Sequence, residues 1–354
     1  MSSVVLPHAR ADHRGRPWAL PALGVLLLAT AVIGLGTGAI GIPASAVLGA
    51  LLRGISGGAS QGDDQIVLML RLPRVLMAAL VGASLACSGA AMQGLFRNPL
   101  VEPGLIGVSA GAALGAIGMM VLGAPLMAAL PAFAGSLGVA AVAFIGGLTA
   151  TMLVYLMGRR RAGMATLLLA GVAINAIAMA GVGLLTFMAS ERQLRDLSFW
   201  TLGSLGGTDW RRLAAVSLPM LLPVVCLPRY ARALDALLLG ETEATLLGFH
   251  PQRVRVQLIV LVALATSAAV AMCGVIGFVG LLVPHVLRLV WGPDHRLLMP
   301  ASALAGASLL IAADAVARIA VAPAELPIGV LTALLGGPFF LWLLMRTRIG
   351  EAQA

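Results

Sequence analysis

Ser109 and His285 are the first residues to weigh for covalent chemistry. Gly107-Val108-Ser109-Ala110-Gly111 fits G-x-S-x-G, the pattern that presents a nucleophilic serine, and His285 is the histidine placed inside an apolar run where it could serve as base. An intramembrane serine hydrolase is therefore one reading. The elbow needs a strand-to-helix turn, and here glycine recurs at Gly107, Gly111 and Gly115 with nothing to break a helix, so the spacing points to a ladder for close helix packing. Metal chemistry finds less support. No H-E-x-x-H occurs, no two histidines stand at i, i+4, and Cys87, Cys226 and Cys273 lie in apolar segments without C-x-x-C spacing. The three cysteines read as buried small apolar residues, and no metal site is expected.

Nucleotide chemistry is argued against by a missing residue type. All 23 basic residues are arginine, and a phosphate-binding loop of the form G-x-x-x-x-G-K-[ST] requires a lysine. The chain is thus expected to bind no cofactor and hydrolyse no ATP itself. The net charge of +9 could suggest nucleic acid, but the arginines are scattered between apolar spans with few aromatics among them, so membrane topology accounts for them better.

The elements that must position these residues are membrane helices. With 60% hydrophobic and 10% charged residues and a mean hydropathy of +1.01, the 354-residue chain cannot be arranged as an apolar core in a polar shell. An all-α, polytopic membrane protein of about ten spans is predicted, at 18–42, 72–95, 104–122, 132–157, 164–188, 211–228, 254–274, 277–291, 297–321 and 326–345. Residues 1–17 and 347–354 form short tails around a single transmembrane domain, 18–346, and Ala44-Ser45-Ala46 is passed over as a signal cleavage site because the run before it is too long. Residues 53–65 read as a polar external loop and 190–209 as a short interfacial helix. Arginine is in excess on the side that holds both termini, including Arg159-Arg160-Arg161, which places both termini in the cytoplasm. Spans 2–5 and 7–10 then run in opposite senses, which permits an inverted repeat.

The segment 229–255 is the most informative feature of the cytoplasmic side. Ala233–Leu239 and Glu241–Leu247 read as two short helices parted by Gly240, the second with Glu241 and Glu243 at its positive end and stopped by Gly248. Leu237, Leu238, Leu246 and Leu247 would be exposed apolar surface unless a partner covers them. At the other side Arg71 and Arg74 flank Pro73, Arg318 follows Asp314 by one helical turn, and Glu325 opens the last span, where it complements the helix dipole. Asn175 is a lone amide at lipid depth, facing either a partner helix or a passage.

RLPR (71–74), GAAMQGLFRNPLVEPGLIGVSAGA (89–112), GFVGLLVPHVLRL (277–289) and PAELPIGVLTALLGGPFFLWLL (323–344), in this order, resemble the FecCD family of permeases for iron-siderophores, haem and cobalamin. The resemblance implies a homodimer with two ATP-binding subunits, which use ATP and Mg²⁺, and a periplasmic binding protein, in the bacterial inner membrane with lipid around it. It implies that LGETEATLLGF (239–249) couples to the ATP-binding subunits and that Arg71, Arg74 and Arg318 receive glutamates of the binding protein. Spans 5 and 10 would line the passage, with a cytoplasmic gate at Met164, Ala165 and Thr166. That turn has fewer hydroxyls than cobalamin permeases show, which disfavours cobalamin, and the overall look is nearest the haem branch, with ferric siderophore or cobalamin as alternatives. An autonomous secondary transporter would instead need charges at midspan, of which the spans offer almost none.

Overall fold

The computed structural model describes residues 17–58, 62–123, 125, 132–159, 164–321 and 324–351. Among these residues every regular element is helical. In chain order they are α1 (Ala19–Gly36), α2 (Ala44–Ser56), α3 (Leu72–Phe96), α4 (Val108–Val121), α5 (Ala132–Arg159), α6 (Met164–Met188) and α7 (Glu191–Leu202). After them come α8 (Trp210–Cys226), α9 (Ala231–Leu239), α10 (Glu241–Leu246), α11 (Pro251–Cys273), α12 (Val279–Trp291), α13 (His295–Ile319) and α14 (Ile328–Glu351). Seven helical stretches are long and apolar enough to cross a membrane, and α2, α4, α12 and the apolar part of α14 are shorter. Each of the ten predicted spans has a helix at its place.

Three differences have local causes. Residues 44–56, with 53–56 read as the start of an external loop, form α2: Pro43 starts it in extended backbone and Gly57 ends it in a left-handed conformation, φ 76°. The stretch before α3 is helical from Asp63, passing through a π-helical turn at Ile66–Arg71, so the helix runs nine residues beyond the predicted boundary at which α3 begins. Residues 347–351, expected in a tail, continue α14. Residues 1–16 and 352–354 of the predicted tails, and Arg160 and Arg161 of the arginine triplet, lie outside the described residues.

Helix ends follow their sequence signals. Ser190 and Gln193 close a reciprocal capping box on α7, Asp209 accepts from the Arg212 N–H at 2.7 Å to start α8, and Asp294 accepts from the Arg296 N–H at 2.9 Å to start α13. At the other end of α3 the turn Arg97-Asn98-Pro99 is closed by Arg97 at φ 50°, while the Asn98 N–H reaches back to the Gln93 carbonyl at 3.1 Å.

The packing is organised on α3, whose residues from Val81 to Phe96 are buried without interruption. Two glycine contacts set its neighbours. A Cβ on Gly82 would overlap the Gly306 carbonyl of α13 and one on Gly306 the Gly82 carbonyl, while a Cβ on Gly89 would overlap the Gly280 carbonyl of α12. Both crossings thus bring backbone onto backbone, which maximises dispersion contacts where lipid supplies no hydrophobic drive between helices. Gly111 and Gly115 fit α4 against Gly146 and Val142 of α5 in the same way. Gly107 acts differently, since at φ 89° it is the residue that turns the 3₁₀ segment Pro103–Ile106 into α4.

Candidate functional site

At one end of the α3–α13 pair the arginines gather. Arg74 sits one turn into α3 and Asp314 and Arg318 lie on the last turns of α13, so packing brings side chains 240 positions apart into contact. The Arg74 Nε donates to Asp314 Oδ1 and Oδ2 at 3.0 and 3.1 Å, and its Nη2 to Asp314 Oδ1 at 2.9 Å. Its Nη1 and Nη2 also meet Glu325 Oε1 and Oε2, both at 3.0 Å. Arg318 pairs with Asp314 at 3.2 Å. Arg74 and Arg318 thus share the Asp314 carboxylate and Arg74 holds Glu325 as well, whereas Arg71 pairs with neither.

The family resemblance implies that these guanidiniums receive carboxylates of a binding protein, and each of them also has partners within the chain. Arg71 is buried, its Nη1 donating to the carbonyls of Leu35 at 2.7 Å and Gly36 at 2.9 Å and its Nη2 to the carbonyl of Ile40. Arg318 is buried as well, donating to Thr37 and Gly34 carbonyls at 2.7 Å each. The carbonyls of Gly34, Leu35 and Gly36 end α1 and have no partner within the helix, those of Thr37 and Ile40 follow just beyond it, and a cation there also complements the helix dipole. Arg71 and Arg318 thus fasten α1 to the α3–α13 pair. Arg74 is the least enclosed of the three, its side chain 14% exposed and paired to Glu325, whose side chain is 48% exposed. The dipole role read for Glu325 is joined by this ion pair, which sequence separation concealed.

At the opposite end lies the 229–255 segment. The 3₁₀ turn Leu227–Tyr230 leads into α9, Gly240 at φ 147° breaks the chain direction, and α10 follows. A left-handed Gly248 and the Phe249 N–H bonding back to the Ala244 carbonyl at 3.0 Å close α10. Leu238, Leu246 and Leu247 are exposed, Leu246 at 84%. Leu237 is not. It belongs with Ala233, Leu234 and Ala236 to the face of α9 that packs on the core. Glu241 is tied to α11 by Arg255, 2.5 Å from Nη2 to Oε1, and Glu243 folds its carboxylate back against Gly240. Met164, at the start of α6, shares a small cavity of about 280 Å³ with Leu237, Glu241, Arg255 and Arg97. Ala165 beside it is exposed and Thr166 is half-buried.

Between the two ends a cavity of about 510 Å³ opens among α4, α6 and the extended linker 274–278. Its walls are apolar except for Glu102, Ser109, Asn175, Thr201 and Thr266. The Asn175 Nδ2 donates to the Gly104 carbonyl at 3.2 Å and its Oδ1 has no partner, so the amide both binds a neighbour and lines the cavity. Glu102 accepts from the Phe278 N–H, which caps α12 from another part of the chain. The sequence held one signal for it: an acid between Val101 and Pro103, inside an otherwise apolar stretch that returns toward the core. Ser109 stands in the first turn of α4, and no described strand precedes it. The His285 ring lies 6.0 Å from that of Phe339, with neither nitrogen hydrogen-bonded, so no serine–histidine pair forms.

A bundle of membrane-length helices with glycine-mediated crossings, an internal polar-spotted cavity and a paired-helix projection at one end defines a transport permease. Residues 26–346 match the FecCD transport family, and the chain belongs to it. It is 49% identical over 287 residues, 80% of this chain and 84% of the relative, to the hemin transport system permease protein HmuU of Yersinia pestis. It is 42% identical over 348 residues, 98% of both chains, to the vitamin B12 import system permease protein BtuC of Klebsiella pneumoniae subsp. pneumoniae. Among solved structures, an inward-facing conformation of a proposed metal-chelate type ABC transporter superposes with a TM-score of 0.80 at 34% identity, covering 93% of this chain and 99% of that one.

Proposed function

We propose that the chain is the membrane-spanning subunit of an ATP-driven importer that carries an iron complex, haem by preference, across the bacterial inner membrane. It works as a homodimer with two ATP-binding subunits and a periplasmic binding protein, and its termini lie in the cytoplasm. The observation that carries this reading is the exposed Leu246–Leu247 pair on α10. Two large aliphatic side chains raised on a short helix, and held in place by the Glu241–Arg255 pair, suit insertion into an apolar groove of a soluble partner. ATP and Mg²⁺ act on that partner, since this chain has no lysine for a phosphate loop.

The apolar faces of α6 (Leu169, Ile177, Leu184, Phe187) and α14 (Leu334, Leu341) are exposed, and they support a second copy and lipid as their cover. Met164, Ala165 and Thr166 are the gate in this reading, and the small cavity shared by Met164 and Glu241 gives the gate a direct neighbour in the coupling segment. Asn175 serves the path from the wall of the larger cavity. Docking of the binding protein falls to Arg74 more than to Arg71 or Arg318, because its side chain is the least enclosed of the three and an incoming carboxylate could displace the half-exposed Glu325 from its fork.

Similarity to a hemin permease favours haem as cargo. ATP hydrolysis by the reconstituted complex, measured with binding protein loaded with haem, a ferric siderophore or cobalamin, tests the choice. Haem is expected to stimulate most. Stimulation by a siderophore or cobalamin and not by haem would replace the cargo while leaving the importer.

A further inference from the structure

His295 and Asp235 are joined by two polar contacts at the inner end of the bundle. The His295 backbone N–H donates to Asp235 Oδ1 at 3.1 Å, and its Nδ1 lies 2.7 Å from the same oxygen. A carboxylate oxygen only accepts, so Nδ1 carries the hydrogen. His295 is 1% exposed, and its Nε2, which has no hydrogen-bond partner, faces Gly94 of α3 so closely that a Cβ there would stand 2.5 Å from it. One side chain therefore joins three elements: α9 through Asp235, α13 on which it sits, and α3 through Gly94.

The same two helices, α3 and α13, hold the arginine cluster at their far ends. From Gly94 back to Arg74 the helix rises about 30 Å at 1.5 Å per residue. Between the ends, the Gly82 and Gly306 backbones meet so closely that a Cβ on either would overlap the other's carbonyl, which packs the two helices backbone to backbone. At the outer end the Arg74–Asp314 bonds fix the helices together again. A packed pair tied at both ends moves as one body.

We infer that Asp235 and His295 are positioning residues that join the 229–255 segment to the α3–α13 pair, so that displacement at the ATP-binding subunits reaches the arginine cluster through this joint. The inference rests on the proposed roles of those two regions as partner contacts. Glu241–Arg255 holds the segment to α11 instead, and so serves the gate side rather than this beam.

The test uses nanodiscs holding the permease dimer with its ATP-binding subunits, to which haem-loaded binding protein is added. The readout is the ratio of stimulated to basal ATP hydrolysis, with assembly and docking affinity measured on the same particles. Asp235→Ala should lower the ratio about five- to tenfold, within the usual range of coupling between sites, with basal hydrolysis, assembly and docking unchanged. Asp235→Asn, whose amide oxygen still accepts from both N–H groups, should restore most of it. Asp235→Ala with His295→Ala should be no worse than either alone, as for two members of one contact. A wild-type ratio in assembled Asp235→Ala particles overturns the joint, and His295→Ala decides by the same ratio if Asp235→Ala fails to assemble. Loss of assembly in both variants also overturns it, because the pair would then only build the segment. Wild-type docking by Arg74→Glu would defeat the arginine reading alone and leave the Asp235 ratio meaningful.

Discussion

The two ends of the α3–α13 pair are finished in opposite ways. At the outer end every arginine of the cluster already has internal partners: Arg71 and Arg318 hold carbonyls of α1, and Arg74 holds Asp314 and Glu325. At the inner end Leu246 and Leu247 stand exposed, with nothing from the described residues over them. A partner outside must therefore compete for charge that is already satisfied, whereas a partner inside gains apolar burial outright. The first kind of contact suits a visitor that comes and goes, the second a subunit that stays.

That contrast breaks most directly at the inner end. Burying a leucine contributes about 1.5–3 kcal/mol, so replacing both Leu246 and Leu247 with Asp removes several kcal/mol and adds charge to be desolvated. Complex with the ATP-binding subunit should vanish on a sizing column while the permease remains inserted; an unchanged elution position would show the leucines are not the contact.

Next in size is Asp314→Ala. It strips a buried carboxylate from two guanidiniums, and breaking such a pair typically costs about 3–5 kcal/mol because the charge left behind is uncompensated. The thermal midpoint of the detergent-solubilised protein should drop sharply, and a midpoint at the wild-type value would mean the cluster is not structural.

A smaller effect is expected for docking. Arg74→Glu should weaken binding-protein affinity by at least about tenfold, or about 1.4 kcal/mol, in a nanodisc titration. Arg71 is the wrong residue to reverse, since a carboxylate there would face the carbonyls of Leu35 and Gly36 and act through the fold. Equal affinity for wild type and Arg74→Glu would confine the cluster to holding α1. Smallest of all, raising salt from about 0.1 to 1 M, which shortens the Debye length from about 10 to 3 Å, should weaken docking outside by a few fold and leave the leucine contact inside in place. The reverse pattern would exchange the two descriptions.

What the sequence made legible follows the range of the interactions. The helices at the ten predicted spans, the helix at 191–202 and the paired helices around Gly240 are local patterns of hydropathy and breakers, and all can be read along the chain. The exposed leucines of α10 were legible too, because a six-residue helix between Gly240 and Gly248 has little length with which to bury them. Leu237 was misplaced because which face of α9 turns inward depends on what α9 packs against. The arginines were visible as residues but not as bonds: their partners lie 36 and 240 positions away, and a carbonyl partner leaves no trace in side-chain type. The Asp235–His295 contact, spanning 60 positions, was hidden for the same reason.

ATP-driven transport through this chain is the central claim, and a single reconstitution tests it. Permease and ATP-binding subunits are placed in vesicles with ATP inside and haem-loaded binding protein outside, and internal haem is followed by its absorbance. Haem should accumulate only when ATP, both subunits and binding protein are all present. Uptake by the permease alone, driven by an ion gradient and indifferent to ATP, would contradict that claim.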